Sequence, residues 1–490
     1  MQPWLRSCEV EVKKPITGKI LGTIPQWLQG TLIRNGPGSI KCGSEEFMHL
    51  FDGPALLHRF EKIIFVRILS GQATYQCRFL STDTLKKNRK AQRIVVSEFG
   101  TRSVPDPCHT IFDRIASVFT PTMLSDNAGV SVFPFGDEVY ALTEVTNVYK
   151  IDPETLESLE KENLFDALIV CHTAHPHVLP NGDVYNVGIN IVRGMMKHVI
   201  VKFPYNEKGG MFKMAEIVNT IEPRWRLNPS YMHSFGVTEN YFVLIEQPMS
   251  ISLLTILKNH FFKNSFSNCL NWYPEHETQI VLVDRNTGEE TRYRTETFFF
   301  LHTINTFEKD SNLIVDVVSY KDAKMIDAMY VEAIKDLHNN PDYGQWCQSR
   351  PKRITIPLDA PRDTRVEIKL IAEVGLEVPR IHYDLHNAPY LSMLAVLVTS
   401  SPKGGRMRIR DKDETKTFVG SQEGAPGKCQ EQEEDDGVLL SALLWGKDDR
   451  AITLLVLNAK DLKEIARTTF KTPSPAPNGF HGWYWPDQCI

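Results

Sequence analysis

The sequence predicts an all-β fold made by radial repetition of small sheets, a β-propeller, with a large β-sandwich as the second choice. Three observations carry this. Short apolar, β-branched or aromatic runs recur along most of the chain, each closed by Asp, Asn, Gly or Pro, which is the pattern of strands and hairpins. The hairpins keep no strict period and do not alternate with long helical segments, so radial repetition fits them better than βαβ units. Four histidines also stand far apart, each inside an apolar or aromatic run, and successive propeller blades point residues at one axis.

Taken in order, Gly30-Thr31-Leu32-Ile33-Arg34-Asn35-Gly36-Pro37-Gly38 reads as a strand running into a turn. No helix-forming run and no Lys-Ser/Thr follow it, so it is not a phosphate loop. Phe51-Asp52-Gly53 followed by Pro54 to His58 is again turn, then strand. The hairpin theme is clearest at Glu138–Thr143 with Tyr149–Leu156, at Ile280–Glu289 and at Leu454–Leu462.

Two stretches break the theme. After Pro107, the positions Ile111, Phe112, Ile115, Val118 and Phe119 make one apolar helical face over 108–119, and Ile251 to Phe262 is more apolar still. Each helix either packs on the sheets or dips into a bilayer surface. The dense basic run Lys86-Lys87-Asn88-Arg89-Lys90 reads as a solvated loop, and the charge-dense region from Lys403 to Gly437 as exposed loops.

A chain of 490 residues could hold three domains, but all-β units often run long, and one domain over residues 1–490 is expected. A hydrophobic share of 42% supports a large core, and a net charge of −5 gives no basic footprint for nucleic acid. Nine scattered cysteines with no CxxC pair read as reduced thiols. The N-terminal residues lack the apolar core of a signal peptide, and no stretch reaches the roughly 18 apolar residues of a spanning helix. The expected location is cytoplasmic, with peripheral contact to a membrane.

The centre of the reading is Cys171-His172-Thr173-Ala174-His175-Pro176-His177. His175 is joined by His233 in Met232-His233-Ser234-Phe235-Gly236, His302 in Leu301-His302-Thr303-Ile304-Asn305, and His481 in Phe480-His481-Gly482. A single such histidine is more often a hydrogen-bonded core residue; four together point to a metal. Imidazole suits Zn, Cu, Fe or Ni, so the ligands alone do not name the ion. The chain has no H-E-x-x-H helix pattern, which argues against a zincin protease. Four neutral ligands call for carboxylates behind them, and Glu144 and Glu377, charges in apolar surroundings, are the candidates. His172, His177, His49 and His58 are read as structural or as second-tier candidates.

Arg34-Asn35-Gly36-Pro37-Gly38, Phe51-Asp52-Gly53, Thr173-Ala174-His175-Pro176-His177, His233-Ser234-Phe235-Gly236, His302-Thr303-Ile304-Asn305, Glu433-Glu434-Asp435-Asp436-Gly437 and Phe480-His481-Gly482 occur in one order over nearly the whole chain. In these motifs the sequence resembles the carotenoid cleavage oxygenases. Pro105-Asp106-Pro107-Cys108 is similar to the animal branch, which includes the β-carotene oxygenases and the retinal-pigment-epithelium retinoid isomerase. Trp4 to Glu9, Leu85 to Val96 and His109 to Arg114 are most similar to its insect isomerooxygenases.

The resemblance implies a seven-bladed propeller with a helical and loop dome over the metal axis. It implies Fe(2+) on His175, His233, His302 and His481, carboxylates at Glu144 and Glu377 that orient these ligands, and O2 as co-substrate. It also implies membrane docking through apolar segments at about 108–126 and 250–266. A third orienting glutamate, usual in the family, falls here on Gln422, with Glu423 one residue late, in a segment from about 390 to 430 that departs from the family pattern. The implied activity is cleavage of the central double bond of a carotenoid such as β-carotene or zeaxanthin into two retinal-type aldehydes, with trans to 11-cis isomerisation of one half. The alternatives are a retinoid isomerohydrolase acting on retinyl esters and a non-enzymatic carotenoid-binding protein. Neither the oligomeric state nor acylation of Cys108 is legible.

Overall fold

The computed structural model describes residues 3–25, 27–63, 72–104, 125–164, 169–192, 194–262, 264–381, 394–397, 414–420 and 437–486. The fold is a β-propeller. Sheets of consecutive antiparallel strands follow one another along the chain: Ser131–Phe135 to Ser158–Asn163, Ile169–His172 to Glu216–Ile221, Gly236–Val237 to Glu290–Thr295, and Phe299–Lys309 to Ile368–Leu370. Leu376–Arg380 pairs with Leu394–Leu397.

A nine-stranded sheet gathers strands from the N-terminal and C-terminal parts of the chain, and two further short two-stranded sheets, Lys41–Cys42 with Glu45–Glu46 and Met249–Ile251 with Leu270–Trp272, stand apart from it. The order of the nine runs Glu414–Gly420, Gly437–Leu444, Ala451–Asn458, Glu464–Lys471, Val12–Gly22, Gln72–Phe79, Ala55–Ile63, Gly30–Pro37 and His481–Pro486. Val12–Gly22 joins its halves, pairing through Lys19–Gly22 with one side and through Val12–Gly18 with the other. The last strand lies against the early strand Gly30–Pro37, so the C-terminus closes the ring. The count of seven blades rests on the resemblance.

The two-residue period of a strand explains why these runs hold sheets on both faces. Phe133, Phe135, Tyr140 and Leu142 pack with Val184, Val199 and Phe203 of the next sheet. Their neighbours Val132, Val139 and Ala141 face the other way, onto Ile33, Ala55 and Leu57. The pattern continues around the ring: Tyr185 and Ile200 meet Leu244 and Val281, Ile245 and Leu282 meet Val315 and Ile354, and Phe60 and Tyr75 meet Val456 and Phe470. The core is therefore a series of layers between blades. The hairpin turns share one device as well. Asp284 Oδ1 accepts the N–H groups of Asn286 and Thr287, both at 2.8 Å, and Asp152 does the same for Glu154 and Thr155.

The structure alters three expectations. The basic run lies on an α-helix, Asp83–Ala91, not a loop: Thr82 caps its N-terminus, Arg89 and Lys90 occupy its last turn, and Gln92 ends it in a left-handed conformation. The second apolar helix is Leu253–Phe262, while Ile251 belongs to the strand Met249–Ile251, which pairs with Leu270–Trp272. Part of the region read as loops is a strand, since Glu414–Gly420 pairs with Gly437–Leu444 along its length; Thr415, Thr417, Phe418 and Val419 supply the β-branched and aromatic content. The helix expected over 108–119, Cys108, Gln422 and Glu423 lie outside the described residues. The six described cysteines are free, as expected for reduced thiols.

Candidate metal centre

The four histidines reach one point from four different sheets. His175 sits between Ile169–His172 and His177–Val178, and His233 just before Gly236–Val237. His302 lies within Phe299–Lys309, and His481 opens the ring-closing strand. Ligand nitrogens from all four lie within 4.8 Å of one another. The Nε2 atoms of His175 and His233 are 3.0 Å apart. The His175 ring is 4.6, 5.0 and 4.5 Å from those of His233, His302 and His481.

Backbone irregularity makes this possible. The pairing of Phe299–Lys309 with Asn312–Tyr320 shifts register between Phe300 and Thr303, at His302. Gly236 lets this strand come close, because a Cβ there would collide with the Thr306 side chain. Behind His481, Asn35 accepts the Phe480 N–H at 2.7 Å, and its amide donates to the carbonyls of Ala128 (2.7 Å) and Ser131 (3.0 Å). Ser131 Oγ in turn donates to Ala174 O at 2.5 Å, beside His175. A Cβ on Gly36 would fall 2.6 Å from Gly479 Cα. The Arg34-Asn35-Gly36 stretch, read from sequence only as the end of a strand before a turn, therefore supports two of the four histidines.

Both expected carboxylates are in place. Glu144, just past the end of Glu138–Leu142, accepts a hydrogen bond from His233 Nδ1, and Glu377 Oε2 accepts one from His302 Nδ1 at 2.6 Å. Each carboxylate is also held by a tyrosine that sequence reasoning missed. Tyr231 OH lies 3.0 Å from both oxygens of Glu144, and Tyr320 OH donates to Glu377 Oε1 at 2.8 Å. Burial, then the adjacent carboxylate charge, pushes both phenols well above their ordinary range, so they stay protonated donors. Burial pushes Glu377 up, but His302, the Val378 N–H and Tyr320 outweigh it and hold the carboxyl below its usual range. Val378 turns its N–H back to Glu377 Oε2 (2.6 Å) by adopting φ +50°, a conformation that costs a β-branched residue about 1–3 kcal/mol.

With Nδ1–H donated outward from His233 and His302, their Nε2 lone pairs face inward. The Nε2 atoms of His175 and His233, 3.0 Å apart, are close enough for one ion to be held by both. The donor set fits a first-row divalent ion. The neighbouring histidines have other duties. His177 Nε2 bonds Phe235 O at 2.9 Å, and burial lowers its pKa to about 4. His172 bonds Thr173 O, His49 bonds Ile326 O and His58 bonds Tyr75 OH, so these serve the structure, as read from sequence.

A ring of sheets that gathers four imidazoles defines a class: propeller proteins with a four-histidine group that could hold a metal ion. The sequence profile of the family described as retinal pigment epithelial membrane protein matches residues 5–486. The chain is 54% identical to a carotenoid isomerooxygenase of Galleria mellonella, over 99% of this chain and 96% of that one. It is 38% identical to one of Drosophila melanogaster (99% and 93%), and 34% identical to β,β-carotene 15,15'-dioxygenase of Mus musculus (97% and 90%). Its fold is similar to that of a cobalt-substituted Synechocystis apocarotenoid oxygenase, with a TM-score of 0.74 at 21% identity over 99% of this chain and 98% of that one. The chain belongs to the family of carotenoid oxygenases and retinal pigment epithelial membrane protein.

Proposed function

We propose that this chain is an iron(II)-dependent oxygenase that uses O2 to split the central double bond of a carotenoid into two retinal-type aldehydes, turning one half from trans to 11-cis. The observation that carries the reading is the convergence of His175, His233, His302 and His481, backed by Glu144 and Glu377. The isomerooxygenases and the carotene dioxygenase among its relatives support the substrate class and the coupled isomerisation.

Iron held by these four histidines would supply O2 activation beside the alkene. The balance needs no outside reductant, since the four-electron cleavage of the double bond to two carbonyls matches the four-electron reduction of O2. The residues of the chain hold and shield that chemistry. Glu144 and Glu377 fix the imidazole tautomers and offset the charge that four neutral ligands leave on the ion. A half-buried aromatic row begins at the residue before His481: Phe480 is 5.7 Å from Phe51, which is 5.4 Å from Phe99, itself 6.4 Å from Phe266. This row suits a long apolar polyene and ends just beyond the apolar helix Leu253–Phe262.

Leu254 on that helix is 67% exposed, and Leu227, whose carbonyl accepts the Leu253 N–H, is exposed too. Among the described residues no helix is long and apolar enough to cross a membrane. We read this corner as a surface that docks peripherally on a bilayer and takes up substrate from lipid.

The test is anaerobic iron loading, then aerobic incubation with β-carotene or zeaxanthin in detergent, with aldehyde isomers resolved by chromatography. Equal 11-cis and all-trans aldehydes are expected. An all-trans product alone would remove the isomerase part, and no aldehyde from iron-loaded protein would overturn the reading.

A further inference from the structure

The hydroxyl of Ser234 ties two of the four histidines together. Ser234 directly follows His233 and is buried. Its Oγ donates to Leu301 O at 2.7 Å and accepts the Thr303 N–H at 2.9 Å, the backbone groups on either side of His302. Here the strand Phe299–Lys309 also slips its register against Asn312–Tyr320. The serine supplies a donor and an acceptor where the ladder is broken, so the backbone at His302 is set by the backbone at His233. A second tie runs alongside, from Thr303 Oγ1 to Phe235 O at 3.2 Å.

We propose that Ser234 is a positioning residue for the metal centre: it fixes the spacing of His233 and His302, and through it the ligand field at the bound ion. This rests on reading the four histidines as metal ligands. A group that orients metal ligands from behind typically changes metal affinity 10–100-fold when removed, and Ser234 acts on two ligands at once.

The experiment is a cobalt(II) titration of the full-length apoprotein, read as a dissociation constant and as the visible ligand-field bands. Ser234→Ala is expected to weaken cobalt binding roughly 10–100-fold and to shift the bands. Ser234→Cys nearly keeps the volume but hydrogen-bonds weakly, and it should fall between Ser234→Ala and the wild type. Ser474 is the control: its Oγ accepts the N–H groups of Glu9 (3.1 Å) and Val10 (3.0 Å), the same kind of staple in the N-terminal arm. Ser474→Ala should lower the Tm and leave affinity and bands unchanged. Wild-type affinity and bands in Ser234→Ala would overturn the proposal; should that variant not fold, the same result in Ser234→Cys would do so. A wild type that binds cobalt but yields no aldehyde when iron-loaded defeats the oxygenase reading and leaves this one standing. A wild type that binds no cobalt defeats both.

Discussion

Glu98 is a residue whose protonation the fold controls strongly. It is buried, its amide donates to Thr101 O, and its carbonyl accepts from Phe266. Burial, then the charge of Asp52, pushes its carboxyl well above the ordinary range. Asp52 is itself pushed up to about 6 by burial, against hydrogen bonds from Thr101, Gly100 and His49. A carboxyl whose folded pKa is raised favours the protonated folded state, so its contribution is lost as pH climbs above the unfolded value of about 4.3. Glu98→Gln removes that titration. Its stability relative to wild type should rise from pH 5 to pH 8, by up to about 1.4 kcal/mol per pH unit within the window, measured by thermal unfolding. A flat or falling difference would contradict the assignment. Other residues divide by how much a sequence can show of them. The four histidines and Glu377 were legible because a polar group inside an apolar run is costly without a partner. Tyr231, Tyr320 and Ser234 were not, because a tyrosine or serine in an apolar run is ordinary. Tyr231 gave one faint signal: it stands two residues before His233, a spacing that puts residues of an extended segment on one side. Tyr320 gave none, since its distance to Glu377 depends on how separate strands meet.

Among the elements, the helix Leu253–Phe262 is the one on which the proposed docking rests. Leu253 and Ile256 pack on the cluster that includes Met196, Ile251 and Phe299, while Leu254 points to solvent. The segment therefore packs on the sheets, the first alternative its sequence offered, and leaves Leu254 exposed. If the edge docks on lipid, Leu254→Glu should reduce co-sedimentation with phosphatidylcholine vesicles about 10-fold or more, as expected for losing 1.5–3 kcal/mol of burial. Undiminished sedimentation would rule out docking through this helix. The strands were legible where an apolar run was bounded by turn residues, as at Glu138–Thr143. The helix Asp83–Ala91 was missed because its few apolar positions, such as Leu85, gave no stripe; the cap at Thr82 was the available signal. Glu414–Gly420 was missed because charged neighbours on both sides masked a short β-branched run.

At the scale of the whole molecule, ring closure and assembly of the four-histidine group go together. His481 joins the group on the strand that lies against Gly30–Pro37, so the strand that closes the propeller also brings in the fourth histidine. The sequence showed a repeated hairpin theme and four separated histidines, from which a radial fold followed. It could not show that the N- and C-terminal strands share a nine-stranded sheet, because that pairing joins residues more than four hundred positions apart. The central claim is that four imidazoles from four sheets hold one divalent ion. The most direct measurement is iron content per chain after anaerobic loading and desalting, for wild type and His481→Ala, with solubility and Tm recorded alongside. The account predicts about one iron per wild-type chain and a loss of most of it in the variant. A folded wild type that retains no iron, or a variant that retains as much as wild type, would contradict it.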